Sequence, residues 1–138
     1  MIDIYKEIGV YDYGWELIKY RKYAYVGNVG FTHVPMNGIN MPVGGVYANR
    51  RVLESHDHDV VYGHSHQLRI DTFKRRGPNS KQIMAINAGC FFEGNFEYSE
   101  GSLLSEDWWR GVLILDHQRD GSVDVHTKKL DTLLREYL

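Results

Sequence analysis

"VGFTHVPMNGINMPVGGVYANRRVLESHDHDVVYGHSHQ", residues 29–67, decides the fold. Its two ends, "VGFTHV" (29–34) and "DVVYG" (59–63), are short β-branched and aromatic runs, and both read as strands. Between them "PMNGINMPVGG" (35–45) is punctuated by glycine and proline and predicts a loop. "VYANRRVLESH" (46–56) follows with good helix formers and apolar positions at Val46, Val52 and Leu53, which predicts a helix. Strand, loop, helix and strand make a β-loop-α-β unit. Such a unit places its two strands side by side with their carboxyl ends at one sheet edge.

Outward from this unit the pattern is mostly strand. "IDIYKEIG" (2–9) predicts a short helix ending on Gly9. "WELIKY" (15–20) and "YAYV" (23–26) predict strands, with Gly27-Asn28 as the hairpin turn into "VGFTHV". "QLRIDTFKRR" (67–76), "GPNS" (77–80) and "KQIMAINAG" (81–89) read as a second hairpin, and residues 90–107 as a long irregular loop. "WWRGVLILDHQ" (108–118), "RDGS" (119–122) and "VDVHTKKL" (123–130) read as a third hairpin, followed by a helical tail, "DTLLREYL". The expectation is one domain over 1–138, α/β in class, with a mixed sheet, hairpins and two or three short helices.

Composition narrows the function classes. A net charge of −2 lacks the positive excess of a sequence-independent nucleic-acid binder. Cys90 is the only cysteine, which excludes an internal disulfide, a thiolate zinc finger and a CxxC redox pair, and fits a reducing, cytoplasmic setting. "MIDIYKEIGVYDYGWE" spreads charges through every turn, so neither a signal peptide nor a membrane anchor is expected there.

The chemistry-bearing residues are histidines. His64 and His66 stand two apart at the end of a predicted strand, where residues i and i+2 face the same side. His33 ends the neighbouring strand, "VGFTH", so the carboxyl ends of two adjacent strands would bring three imidazoles together. Neutral imidazole suits a divalent ion such as manganese, zinc, iron or nickel.

In order and in context, "GFTHVPMNG", "YGHSHQ", "INAGCF" and "WWRGVLILDHQRDGSVDV" resemble the C-terminal half of calcineurin-like metallophosphoesterases, particularly the small phage-encoded versions. The resemblance covers nearly the whole chain and implies half of a four-layer β-sandwich that holds two metal ions. It makes His33 and His64 ligands of one ion and His66 a ligand of the other. The family's earlier motifs, Asp-x-His, Gly-Asp-x-x-Asp and Gly-Asn-His, do not occur here, so neither its bridging aspartate nor its catalytic histidine has a counterpart. The implied function is therefore the C-terminal half of a phosphomonoesterase or phosphodiesterase. It would need a partner chain or an N-terminal half for activity, in the host cytoplasm if phage-encoded.

Two other readings compete. One is an inactive protein that reuses the half-fold to bind a host or phage macromolecule, or to form a homo-oligomer, with Trp108-Trp109 and the tyrosine-rich strands as anchors. The other is a single zinc ion on three histidines, with water in the fourth position. Asn37, Arg50 and Arg51 are candidates for contact with a substrate phosphate. His56, Asp57, His58 and Asp59 read as a solvated helix-to-strand connection, and Glu93, Glu97, Glu100, Glu106 and Asp107 as a solvated or partner-facing loop. His117 and His126 read as surface residues, and Cys90 as packing. HExxH is absent, which excludes a zincin.

Overall fold

The computed structural model describes residues 3–92 and 108–138. The β-loop-α-β unit is its centre. β2 (Val29–Thr32) leads through the loop to α2 (Ala48–Ser55) and back along β3 (Asp59–Tyr62), which pairs parallel to β2 with Thr32 opposite Tyr62. β5 (Gln82–Ala88) adds a third parallel strand beside β3, with Asn87 opposite Tyr62. The edges are antiparallel: β1 (Ala24–Val26) forms a hairpin with β2 across Gly27-Asn28, and β4 (Leu68–Lys74) pairs with β5. The sheet order is β1-β2-β3-β5-β4.

Alternation along the strands sends side chains to two different layers. Val60, Tyr62, Ile83 and Ala85 face α2, where Ala48, Val52 and Leu53 are buried against them. Full burial of Val52 and Leu53 contributes about 1.5–3 kcal/mol each by hydrophobic transfer. Val29, Val61 and Ile86 face the other way. They meet Leu113, Leu115, Val123 and Val125 of the hairpin formed by β6 (Gly111–His117) and β7 (Val123–Lys129). The result is a mixed α/β fold with three layers: helix, five-stranded sheet, hairpin. Two further helices, α1 (Ile4–Glu7) and α3 (Leu130–Tyr137), lie toward the chain's ends. No helix among the described residues is long and apolar enough to cross a membrane.

The strand expected over 15–20 does not form. Residues 15–19 have no regular structure, and Lys22 N–H bonds Lys19 O at 3.0 Å, closing a turn just before β1. β1 takes β2 as its partner, and every side chain from Tyr11 to Lys22 is left exposed. The irregular loop expected over 90–107, with Glu93, Glu97, Glu100, Glu106 and Asp107, lies from residue 93 onward outside the described residues.

A buried polar knot pins α2 to the sheet. Tyr62 Oη–H donates to Asn49 Oδ1, and Asn49 Nδ2 lies 3.0 Å from Ala85 O and 2.7 Å from Asp71 Oδ2. Burial, with the Asp71 carboxylate adding to it, pushes the Tyr62 phenol up to about 12.

Candidate metal centre

Thr32 and Tyr62 are paired across parallel strands, so the residues that follow each of them leave the sheet at the same edge. His33 comes first after Thr32, and His64 second after Tyr62. Their rings meet edge to face with centroids 5.3 Å apart, and both side chains are exposed to incoming ligands. Gly63 sits between strand and histidine; a Cβ there would stand 3.7 Å from His33 Nδ1.

The "HSH" segment is a turn rather than a strand end. β3 stops at Tyr62, and His64 (φ 74°) and His66 (φ 58°) both adopt the left-handed backbone region that favours glycine. Same-side projection of alternate strand residues therefore does not apply to this pair. His66 instead lies over Trp108, with ring centroids 4.6 Å apart, and near Phe92 at 5.9 Å. Trp109 N–H donates to His66 O at 2.9 Å, which ties the approach to β6 to this turn. The imidazole of His66 is held below the usual histidine range, first by burial and then by His64 and His33. At neutral pH it therefore keeps a free lone pair.

Beneath the turn is Asn87, at 1% exposure on β5. Its Nδ2 donates to Ser65 Oγ, between the two histidines, while its Oδ1 is buried with no hydrogen-bond partner among the described residues. No motif or spacing in the sequence singles out Asn87 or Ser65. The available signal was an asparagine inside an otherwise apolar strand, "IMAINAG".

These donors fit a borderline divalent ion in kind: two adjacent imidazoles, a third held neutral, and an unengaged amide oxygen. The described residues do not complete a shell, since no three His, Cys, Asp or Glu side chains among them are close enough to hold an ion. No family model, curated protein or solved structure matches this chain.

The other candidates lie elsewhere. Asn37 uses its side chain within its own loop, where Oδ1 accepts from Ile39 N–H at 3.1 Å and Met41 N–H at 2.9 Å. Arg50 pairs with Glu54 one helical turn on, at 2.6 Å, and lies over the Phe73 ring. Trp108 packs on His66. Cys90 is half-buried, and burial pushes its thiol up, as packing requires. His126 is exposed beside Asp116.

The connection over 56–59 is not simply solvated. His56 and His58 are half-buried in a ring cluster with Tyr23 and Tyr25 at the amino end of β3, the opposite end from His64. His56 Nδ1–H donates to Val52 O at 2.9 Å, while His56 Nε2 accepts from Tyr23 Oη–H at 3.0 Å. Tyr23 Oη accepts in turn from Met36 N–H at 3.0 Å. A larger cavity, about 680 Å³, opens near this end beside His58 and Asp59.

Proposed function

We propose that this chain is the histidine-bearing, C-terminal half of a metal-dependent phosphoesterase, with a domain equivalent to half of a metallophosphoesterase sandwich. His33, His64 and His66 would hold divalent metal, and an N-terminal half or partner chain would add the carboxylate ligands. The observation that carries this is the edge-to-face meeting of His33 and His64 at the carboxyl edge of two parallel strands. The separate setting of His66 against Trp108 suits its expected assignment to a second ion.

A divalent ion in such a site supplies Lewis-acid polarisation of a phosphoryl oxygen. The chain's own part is to present three imidazoles, to fix the turn that carries two of them through Ser65 and Asn87, and to leave His33 and His64 open to substrate.

The test is to add the polypeptide encoded upstream, or a co-purifying partner, together with manganese, and to follow hydrolysis of bis(4-nitrophenyl) phosphate. Activity that appears on mixing and is lost in His64→Ala is the expected result. No hydrolysis from any such mixture rejects the proposal.

A second reading draws on the exposed aromatic segment before β1, where Tyr13 is 77% and Trp15 69% exposed. Such a run suits a macromolecular contact and requires no catalysis. Sedimentation of the chain as a stable monomer that neither gains activity nor captures a partner would count against both readings.

A further inference from the structure

A groove of about 390 Å³ adjoins His33. Its floor is apolar, made by Phe31, Val61 and Ala88 from three adjacent strands, and His33 and Gly63 also line it, where β2 and β3 leave the sheet. Residues 18–22 supply further lining. Three of these five, Lys19, Arg21 and Lys22, are cationic, and none of the described lining residues is acidic. The whole chain carries a net charge of −2, so this is a local concentration of positive charge against the overall balance.

The backbone brings these cations together. Lys22 N–H bonds Lys19 O at 3.0 Å, closing a four-residue turn that sets the two lysines close to one another. Arg21 occupies the third position of that turn at φ 64°, a slot that favours glycine or asparagine. Its guanidinium lies over the Tyr20 ring, 5.4 Å from the centroid. A bulky cation held in a left-handed conformation is the kind of local strain that collects at ligand clamps. The segment builds no strand and buries no side chain, so packing does not explain it.

We propose that this groove binds an organic phosphate ester, with Lys19, Arg21 and Lys22 gathering the phosphate charge and the apolar floor taking the ester's hydrophobic group. The volume suits a single small ligand, since such sites run to a few hundred Å³ and pair an apolar lining with a few placed charges. The inference deepens the phosphoesterase proposal, on which it rests for the meaning of the neighbouring histidines. It identifies the substrate class as a small ester carrying an apolar group.

The experiment is binding of phenyl phosphate to the full chain in EDTA, by calorimetry and by amide NMR shifts, beside inorganic phosphate and phenol. Phenyl phosphate is expected to bind at least about tenfold more tightly than either fragment, a difference of about 1.4 kcal/mol. Shifts should centre on residues 18–22, Phe31 and His33. Lys19→Glu with Lys22→Glu should weaken binding about tenfold or more, and Arg21→Gly should weaken it while raising the thermal midpoint. Because these side chains are exposed, circular dichroism should be unchanged in both variants.

Phenyl phosphate binding equal to that of inorganic phosphate, or unaffected by the charge reversals, overturns the proposal. Tighter binding of a short oligonucleotide overturns it in favour of an extended polyanion track. The metal-free format separates the two ideas: loss of groove binding leaves metal-dependent hydrolysis to be judged on its own mixing experiment, and failure of hydrolysis leaves groove binding intact.

Discussion

His33 and His64 stand edge to face, ring centroids 5.3 Å apart, although thirty residues of loop, helix and strand separate them in the chain. The parallel pairing of β2 with β3 produces this proximity, and a ligand pair is its first testable consequence. His33→Ala and His64→Ala should each lower manganese or zinc affinity by about tenfold or more, as loss of a metal-site group commonly does. His126→Ala, on the outer hairpin beside Asp116, should leave affinity unchanged. Isothermal titration of the three variants decides it. Equal affinities would remove His33 and His64 from any metal site.

The left-handed backbone at His64 makes a second prediction. A glycine relieves the steric cost of φ 74° and also deletes the imidazole. His64→Gly should therefore bind metal as poorly as His64→Ala while unfolding about 0.5–1 kcal/mol later, measured by urea denaturation. A glycine variant less stable than the alanine one would show that the turn is not strained in solution.

The β-loop-α-β unit was legible because glycine and proline at 35–45 separate two β-branched runs from a helix with apolar positions at Val52 and Leu53. The meeting of His33 with His64 followed from that topology alone. What stayed hidden depended on atoms far apart in sequence. Same-side projection of His64 and His66 assumed an extended backbone, and the chain turns there instead. Asn49 and Asn87 look like ordinary polar residues until Tyr62 and Ser65 are placed beside them. The solvated setting expected of His56 failed because Tyr23, more than thirty residues earlier, packs over it and hydrogen-bonds it.

That contact makes stability sensitive to acid. The His56 imidazole is held below its ordinary value of 6.5, chiefly by burial, so the folded state resists its protonation. Between the folded and unfolded values the unfolded chain binds more protons, so stability falls as pH drops below about 6.5. His56→Gln removes that titration and should flatten the fall in thermal midpoint between about pH 7 and pH 5. An unchanged slope would show that His56 does not govern it.

Alkali acts on the other buried knot. The Tyr62 phenol is raised from 10.0 to about 12, so the folded state keeps its proton after the unfolded chain has lost it. Stability should fall as pH rises from about 10 toward 12, and Tyr62→Phe should lack that fall. At neutral pH the same variant leaves Asn49 Oδ1 without its hydroxyl donor and should cost about 1–3 kcal/mol in urea denaturation. Neutral-pH stability equal to wild type would mean that the Tyr62 hydroxyl bond contributes nothing net.

Gly89 connects packing to the histidine turn. At φ 72° it occupies the left-handed region, and a Cβ there would lie 2.5 Å from Trp109 O and 2.6 Å from the Trp109 ring, so no side chain fits without moving that residue. Trp109 N–H holds His66 O at 2.9 Å, and the neighbouring Trp108 ring covers the His66 imidazole. Gly89→Ala should therefore destabilise the fold by about 2–3 kcal/mol, through backbone strain and overlap together. It should also shift tryptophan emission and weaken metal binding while leaving the His33–His64 pair in place. Trp108→Ala offers the control, since it uncovers His66 without straining the backbone. If Gly89→Ala unfolds at the wild-type urea concentration with unchanged emission, the close approach of Trp109 to residue 89 does not exist in solution.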